Sequence, residues 1–477
     1  MRDLFCRGVF ILLLMIFSLE ASPISDAKKH YNKEIRKGAK HLPTGVSGGS
    51  LPHHSPRSSD TATTFIDVRD YGADPSGLTD STDAVLKAVA DLLSSENKSD
   101  RKMASNIVDM GGITLDLAGG VYLMSEPLVI PTYVGNIHFI DGTLRASSDF
   151  RSDWHLVHIG NTTCTPDGQN SCNEFISFTD MMFDSNFNSA GGAIVQHVMG
   201  TTFTACFWTG FTGTALQIDG GHEVMVEFSW FAECYWSDSK TCIDRADDSI
   251  AVQINGNDHY LHNVIIFDWV KKGVEVNGEA NVLSGVHTWN GGGIGIEVNA
   301  GSTRIVGCYL DYNYLLIKKA DKLLVTDSFF LITNTKIMTG GDMRETLFKH
   351  NIYSWMGQAD GVKSVEIVDD GDYSGIQNVR FEDEIGEGVL STTVTDTIVF
   401  NNTDKQDYME VDFTGKMVFS TAKHVQHSTV YGAGCENLWV TNPMPLLKEG
   451  PIVRFPFDSG WIDGVDCEIS ITVTVTN

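Results

Sequence analysis

The chain has 477 residues, 42% of them hydrophobic, and a formal net charge of −27 at pH 7. So acidic a chain excludes nucleic acid as a partner, because phosphate binding needs clustered bases; it also weighs against a polyanionic ligand, except at an acidic pH that neutralises part of the charge. The length allows about two or three ordinary domains, unless the chain is built from repeats, which obey no such count.

Residues 1–21 read as a secretory signal peptide: Arg2 and Arg7 flank the start, an apolar run follows from Val9 to Leu19, and Ala21 and Ser22 are small. The run is too short to cross a bilayer. The mature protein is expected to start near Ser22 and to be secreted to the extracellular space and cell wall, with no membrane contact after cleavage. Residues 22–63 are polar and basic and read as a flexible extension. Sequons predict glycosylation at Asn97, Asn161 and Asn401. Eight cysteines remain once Cys6 leaves with the signal. In an oxidising compartment Cys164–Cys172 and Cys234–Cys242 would each close a short polar loop, and Cys435–Cys467 could tie down the C-terminal segment. Cys206 and Cys308 sit in apolar runs and read as free core thiols. Spacing alone leaves this connectivity open.

Residues 64–477 read as one domain. It opens with a short strand, a turn, and a helix capped near Asp80 or Ser81, with apolar spacing at Val85, Leu86, Val89, Leu92 and Leu93. GGITLDLAGGVYLMSEPLVIP then alternates like a strand. Between residues 215 and 320 five segments repeat: ALQIDGGHE, AVQINGNDH, GVEVNGEAN, GIEVNAGST and LLIKKADKL, starting 36, 22, 22 and 20 residues apart. In columns, Leu216, Val252, Val274 and Ile296 point one way, as do Ile218, Ile254, Val276 and Val298. Gln217, Gln253, Glu275 and Glu297 lie between them and point the other way. Asp219, Asn255, Asn277 and Asn299 follow at a turn, where stacked side chains can bond along the stack. A period of about 22 residues holds roughly three short strands, and only a parallel solenoid buries that pattern. The fold class is therefore all-β, a single-stranded parallel β-helix with a short N-terminal capping helix. Phe231, Phe267 and Trp289 are expected to stack, with Asp311 next in line. Short strands recur before residue 215, a coil is expected in VEIVDDGDYSGIQNVRFED, and ISITVTVT reads as a last strand or cap.

The segment FIDVRDYGADPSGLTDSTDAV, followed by GGVYLMSEPLVIP, resembles the opening of polygalacturonases and related pectin-lyase-like right-handed β-helices. GGHEVM, GNDH, GVHTWN and YLDY are similar, more narrowly, to the plant QUARTET-type pollen polygalacturonases, a divergent branch related to glycoside hydrolase family 28. The resemblance spans about residues 64–477 and implies hydrolysis of α-1,4-galacturonan in pectin, in the wall around developing pollen. Ordinary members carry Asn-Thr-Asp, Asp-Asp, Gly-His-Gly and Arg-Ile-Lys on successive coils. Here Asp247-Asp248-Ser249-Ile250 matches the second of these. Thr212-Gly213-Thr214 stands for the first, no His accompanies Lys271-Lys272-Gly273, Gly291-Gly292-Gly293 lacks the imidazole, and Ile317-Lys318-Lys319 is a faint echo of the last. Either other residues serve, or activity is reduced.

Glycoside hydrolysis needs one carboxyl group to protonate the leaving oxygen and another to activate water, about 6.5–9.5 Å apart in an inverting enzyme. Asp247 and Asp248 lead the candidates, against the alternative of an inert acidic loop. His222 with Asp258, and Glu223 with His259, fall in shared columns and read either as cross-coil salt bridges or as an imidazole tuning a carboxyl group. His287 is a core histidine if its column faces inward and a catalytic one otherwise. Asp311, replacing an aromatic beside Trp289, would be desolvated and suited to acid catalysis, unless the strand bends it outward. Glu275 and Glu297 read as a wet sheet face. Lys271, Lys272, Arg304, Lys318 and Lys319, with Trp289 as a stacking surface, could hold uronates. No cofactor or metal is expected, although Asp369-Asp370-Gly371-Asp372 could bind calcium in a lyase of the same fold. The function this predicts is a monomeric pectin hydrolase. A β-eliminating lyase and a non-catalytic wall-binding β-helix are the alternatives.

Overall fold

The computed structural model describes residues 65–94, 102–103, 106–164, 171–232, 249–267, 270–290, 293–338, 340–355, 363–368, 375–386, 388–401, 407–414, 416–418, 424–431, 439–440, 443–445, 451–458 and 468–476. The signal and extension, Asn97, Asp247, Asp248, Gly291, Gly292, the acidic segment 369–372, and Cys234, Cys242, Cys435 and Cys467 lie outside them.

Alternation of apolar and polar side chains gives the strands of the coils, most of them three to six residues long and the longest, Val134–Ala146, 13, and these pair in parallel with their equivalents on the next turn of the chain. A ten-stranded parallel sheet runs in strict chain order from Leu128–Ile130 to Val365–Ile367. A twenty-four-stranded sheet holds the other two strips of each coil, such as Met225–Glu227 and Trp230–Ala232. The result is a parallel β-helix. One residue makes the corner between those two strips: Phe228, Asn263, Gly285, Gly307, Asp327, His350 and Asp383 all have φ between 51° and 64°. A single left-handed residue turns the chain sharply, and only two of these seven are glycine.

The repeat columns stack in register. Leu216, Val252, Val274 and Ile296 are paired one above another, fully buried, with Gln217, Gln253, Glu275 and Glu297 on the opposite face. The turn ladder is bonded along its length: Asn255 donates to Asp219 at 2.7 Å, Asn277 to Asn255 at 2.8 Å and Asn299 to Asn277 at 2.8 Å. Two expected registers shift. An irregularity between Ile294 and Ile296 sets Ile296 against Leu315 and Glu297 against Leu316, so the fifth segment slides by one residue. Phe231 faces Ile266 in the core rather than Phe267, and the outward column is Ala232, Phe267, Trp289 and Asp311. A one-residue slip reverses which face a side chain takes. It places Phe231 in an inner stack with Trp208 and Phe183, at centroid distances of 4.2 and 5.1 Å.

Helix Thr82–Leu92 packs Val85, Ala88, Val89 and Leu92 into the same core. Asp80 supplies the cap, accepting from the Thr82 N–H at 3.0 Å, while Ser81 holds the N-cap position without a side-chain bond to the helix. Past residue 340 the coils continue, Met343–Lys349 pairing in parallel with Ile376–Glu382. The C-terminal ISITVTVT lies in Glu468–Thr476, the middle strand of an antiparallel sheet between Thr393–Asn401 and His424–Tyr431. This sheet and Tyr408–Asp412 with Ile452–Asp458 enclose their own apolar cluster, including Phe413, Phe455 and Ile471. Cys164 is bonded to Cys172, and Cys206 and Cys308 are buried in the core. Asn161 is exposed, and Asn401 ends a strand. No helix among the described residues is long and apolar enough to cross a membrane.

Candidate active site

The strands of the ten-stranded sheet start along a continuous rim. The Ala190 N–H donates to the Trp154 carbonyl at 2.9 Å, Gly213 to Ala190 at 2.9 Å, Ile250 to Gly213 at 3.0 Å, Lys272 to Ser249 at 3.0 Å and Ile294 to Lys271 at 3.0 Å. Asp247 and Asp248 lie outside the described residues; in the chain they directly precede Ser249. One coil on, Lys271 is exposed and its N–H donates to the Ser249 hydroxyl at 3.2 Å.

On the outer face of the same sheet, Glu275 and Glu297 stand in register, yet they do not simply repel each other. The Lys272 ammonium lies 3.1 Å from both carboxylates, and Lys318 reaches Glu297 at 2.7 Å. Glu297 is 1% exposed rather than on a wet face. Burial alone would push its carboxyl up, but hydrogen bonds from Lys318, Asn299 and Lys272 outweigh it and hold the group below its ordinary value. Lys272 and Lys318 are thus already paired with buried acid.

A second cluster lies on the strip His287–Trp289 and Tyr309–Asp311. Thr288 and Leu310 point into the core, so His287, Trp289, Tyr309 and Asp311 point out. The His287 ring lies flat on Tyr309, centroids 4.4 Å apart and planes within 3°. His287 Nε2 is 4.0 Å from Asp311 Oδ2, beyond hydrogen-bond reach. Burial, with the Asp311 charge beside it, pushes the Tyr309 phenol up to about 12. An imidazole, a carboxylate and a neutral phenol thus converge beside Trp289, a set suited to proton transfer.

At the corner, His222 Nδ1 and Asp258 Oδ2 are 3.3 Å apart, both exposed. The expected Glu223–His259 pair does not form. The register brings Met225 to Tyr260, so His259 sits opposite Val224 and faces the core. Its Nδ1 accepts from the Val224 N–H at 3.1 Å, and burial pushes the imidazole down to about 4, leaving it neutral. Arg304 is exposed on the other strip of the larger sheet, in register with Val282 and Leu324.

Glu384 carries no sequence signal of its own. It follows strand Ile376–Glu382 and accepts from the Asn351 side chain at 3.1 Å. Burial pushes its carboxyl from 4.5 up to about 7 against that bond. The folded state therefore holds a proton that the unfolded chain releases. The contribution is complete below the unfolded value near 4.5, fades as pH rises and is lost above about 7, a change of about 3 kcal/mol. Melting temperatures of the parent and Glu384→Gln, measured from pH 4 to 8, should diverge in slope over that window; parallel curves would refute the assignment.

No family model matches the chain. Polygalacturonase QRT3 of Arabidopsis thaliana is 31% identical over 383 residues, covering 76% of this chain and 76% of that protein. Among solved structures, endo-xylogalacturonan hydrolase from Aspergillus tubingensis has a TM-score of 0.44 at 11% identity, covering 69% of this chain and 95% of that one. The A-module of mannuronan C-5 epimerase AlgE6 from Azotobacter vinelandii has a TM-score of 0.44 at 12% identity, covering 68% of this chain and 86% of that one.

Proposed function

The chain belongs to the QUARTET-type polygalacturonase family, and on that premise we propose that it is a secreted glycoside hydrolase that cleaves α-1,4-galacturonan in the plant cell wall, with pollen-wall or tetrad separation as its setting. The observation that carries this reading is the relationship across 76% of the chain. It is supported by the Asp247-Asp248-Ser249-Ile250 segment, which matches the Asp-Asp motif of the family in sequence.

In this reading one carboxyl group protonates the glycosidic oxygen and another, at the inverting separation, draws a proton from water. Neighbouring coils stack about 4.8 Å apart, so acids on offset columns or two coils apart fit better than acids directly stacked. Lys271, exposed one coil beyond Ser249, supplies a cation for a uronate carboxylate. Lys272 and Lys318 are engaged by Glu297 and hold the sheet face rather than the ligand. An acidic wall suits the reading, because protonation lowers the charge of −27 that opposes a polyanion.

The test is release of reducing ends from polygalacturonate by the purified protein between pH 4 and 7, with activity expected toward the acid side and no dependence on chelator. An unsaturated, ultraviolet-absorbing product would instead make it a lyase. Binding without turnover would make it a wall-binding β-helix.

A further inference from the structure

The strip that bears His287 and Asp311 has an apolar outer face running well beyond those two residues. Parallel pairing sets Trp230, Ile265, His287, Tyr309, Phe329 and Ile352 one above another on successive coils. Phe267, Trp289, Asp311 and Leu331 form the column beside them. On each coil the residue between the two columns, such as Phe231, Leu310 or Phe330, is buried in the core, so both columns face outward. Rings knit the face together: Trp230 meets Phe267 edge-on at a centroid distance of 5.5 Å, and Tyr309 meets Phe329 in the same way at 5.2 Å.

The chain leaves this strip through corners at Tyr312, Ile332 and Trp355, with φ of 52°, 48° and 61°. Left-handed backbone is unfavourable for bulky and β-branched side chains, yet all three corners carry one. Tyr312 and Trp355 are 39% and 54% exposed, so the apolar surface continues sideways past the strip. Among the described residues, neither column holds a Lys or Arg from Trp230 to Ile352. Lys272 and Lys318 belong to the ten-stranded sheet and are held by Glu297, while Arg304 stands on the other strip of the larger sheet. A carboxylate laid on this face loses water, gains no cation and is repelled by Asp311.

We propose that this strip selects methyl-esterified galacturonan over the free polyanion, with Tyr309, Phe329 and Ile352 as the residues that set the preference; this rests on the hydrolase reading above. A methyl ester carries no charge, so it meets neither the desolvation penalty nor the repulsion from Asp311. Its methyl group also covers apolar surface that water otherwise wets. The aromatic rungs recur about every 4.8 Å along the solenoid, so an extended polymer lies on one rung after another. The same preference accounts for an acidic protein acting on pectin: a neutral polymer feels no repulsion from a net charge of −27.

Calorimetric titration of the whole protein with octagalacturonate and with its full methyl ester, at about pH 6 where free uronates are ionised, tests this. The parent should bind the ester about tenfold or more tightly than the acid. Ile352→Lys puts a cation on the face and should raise affinity for the acid by about threefold, narrowing the gap. Ile352 is 41% exposed, so its melting curve should overlay the parent; the parent comparison stands without any variant. Equal affinities, tighter binding of the acid, or binding of neither overturns the preference. So does a parent that elutes as a dimer which Ile352→Lys splits, because a second copy then covers the face. Reducing-end release measured in parallel separates the two readings. Faster turnover of the acid keeps the hydrolase and removes the preference, while tighter ester binding without turnover of either oligomer keeps the preference and removes the hydrolase.

Discussion

Asp247→Asn and Asp248→Asn each lower turnover of polygalacturonate by roughly 10²–10⁴-fold. Asparagine keeps the shape of the side chain but neither donates the proton that frees the leaving oxygen nor accepts one from water. The parent and both variants should share one melting temperature, which separates lost chemistry from lost fold. In sequence the pair comes just before strand Ile250–Ile254, whose Ala251, Val252 and Ile254 are fully buried. Asp311→Asn belongs in the same series. If it abolishes turnover while both changes at 247 and 248 leave it intact, the chemistry moves to the strip bearing His287, Tyr309 and Trp289, where His287 and Asp311 lie 4.0 Å apart. Unchanged turnover in all three variants would leave neither cluster as the catalytic one.

Glu297→Ala should destabilise the fold by about 3–5 kcal/mol, toward the lower end of the range for breaking a buried ion pair. Glu297 is the buried acid that Lys272 and Lys318 both reach, at 3.1 and 2.7 Å. Removing it leaves two ammonium groups beside an apolar column, although Lys318 is 42% exposed and can turn to water. The measurement is the midpoint of urea unfolding at pH 7, well above the range in which Glu297 titrates, given that its carboxyl is held below the ordinary value. Lys272→Met in the same background should show strong coupling, because each partner's cost depends on the other. An unchanged midpoint would mean that the pair is a surface ornament and would return Lys272 and Lys318 to the pool of ligand-binding bases.

Much of this architecture was legible in the chain. The four columns from Leu216 to Ile296 and the Asx ladder follow from period and alternation alone, because in a solenoid the neighbour in space is the equivalent residue one turn away. What failed did so at irregularities. One shifted pairing after Ile294 displaces Leu315 by a position. The corner between strips carries an offset of its own, which turns His259 inward opposite Val224 and dissolves the expected pair with Glu223. The same slip moves Phe231 from the outer face to the core. No periodicity reports a slip of one residue, because period and alternation look the same on either side of it.

The site was legible only as residue types. Acids, bases and aromatics near 247–319 could be named, but whether a Lys holds a ligand or a buried Glu depends on which side chains lie within reach on the coils above and below. Lys272 illustrates this: its partners Glu275 and Glu297 are three and twenty-five positions away, and only folding puts both 3.1 Å from one ammonium. By itself, then, the sequence determined the repeat, its faces and its family, since alternation and period are local properties that survive in a one-dimensional string. The tertiary structure decided which charges are neutralised, which histidine is buried and where the rim runs, because desolvation and pairing are set by distances between residues on different coils.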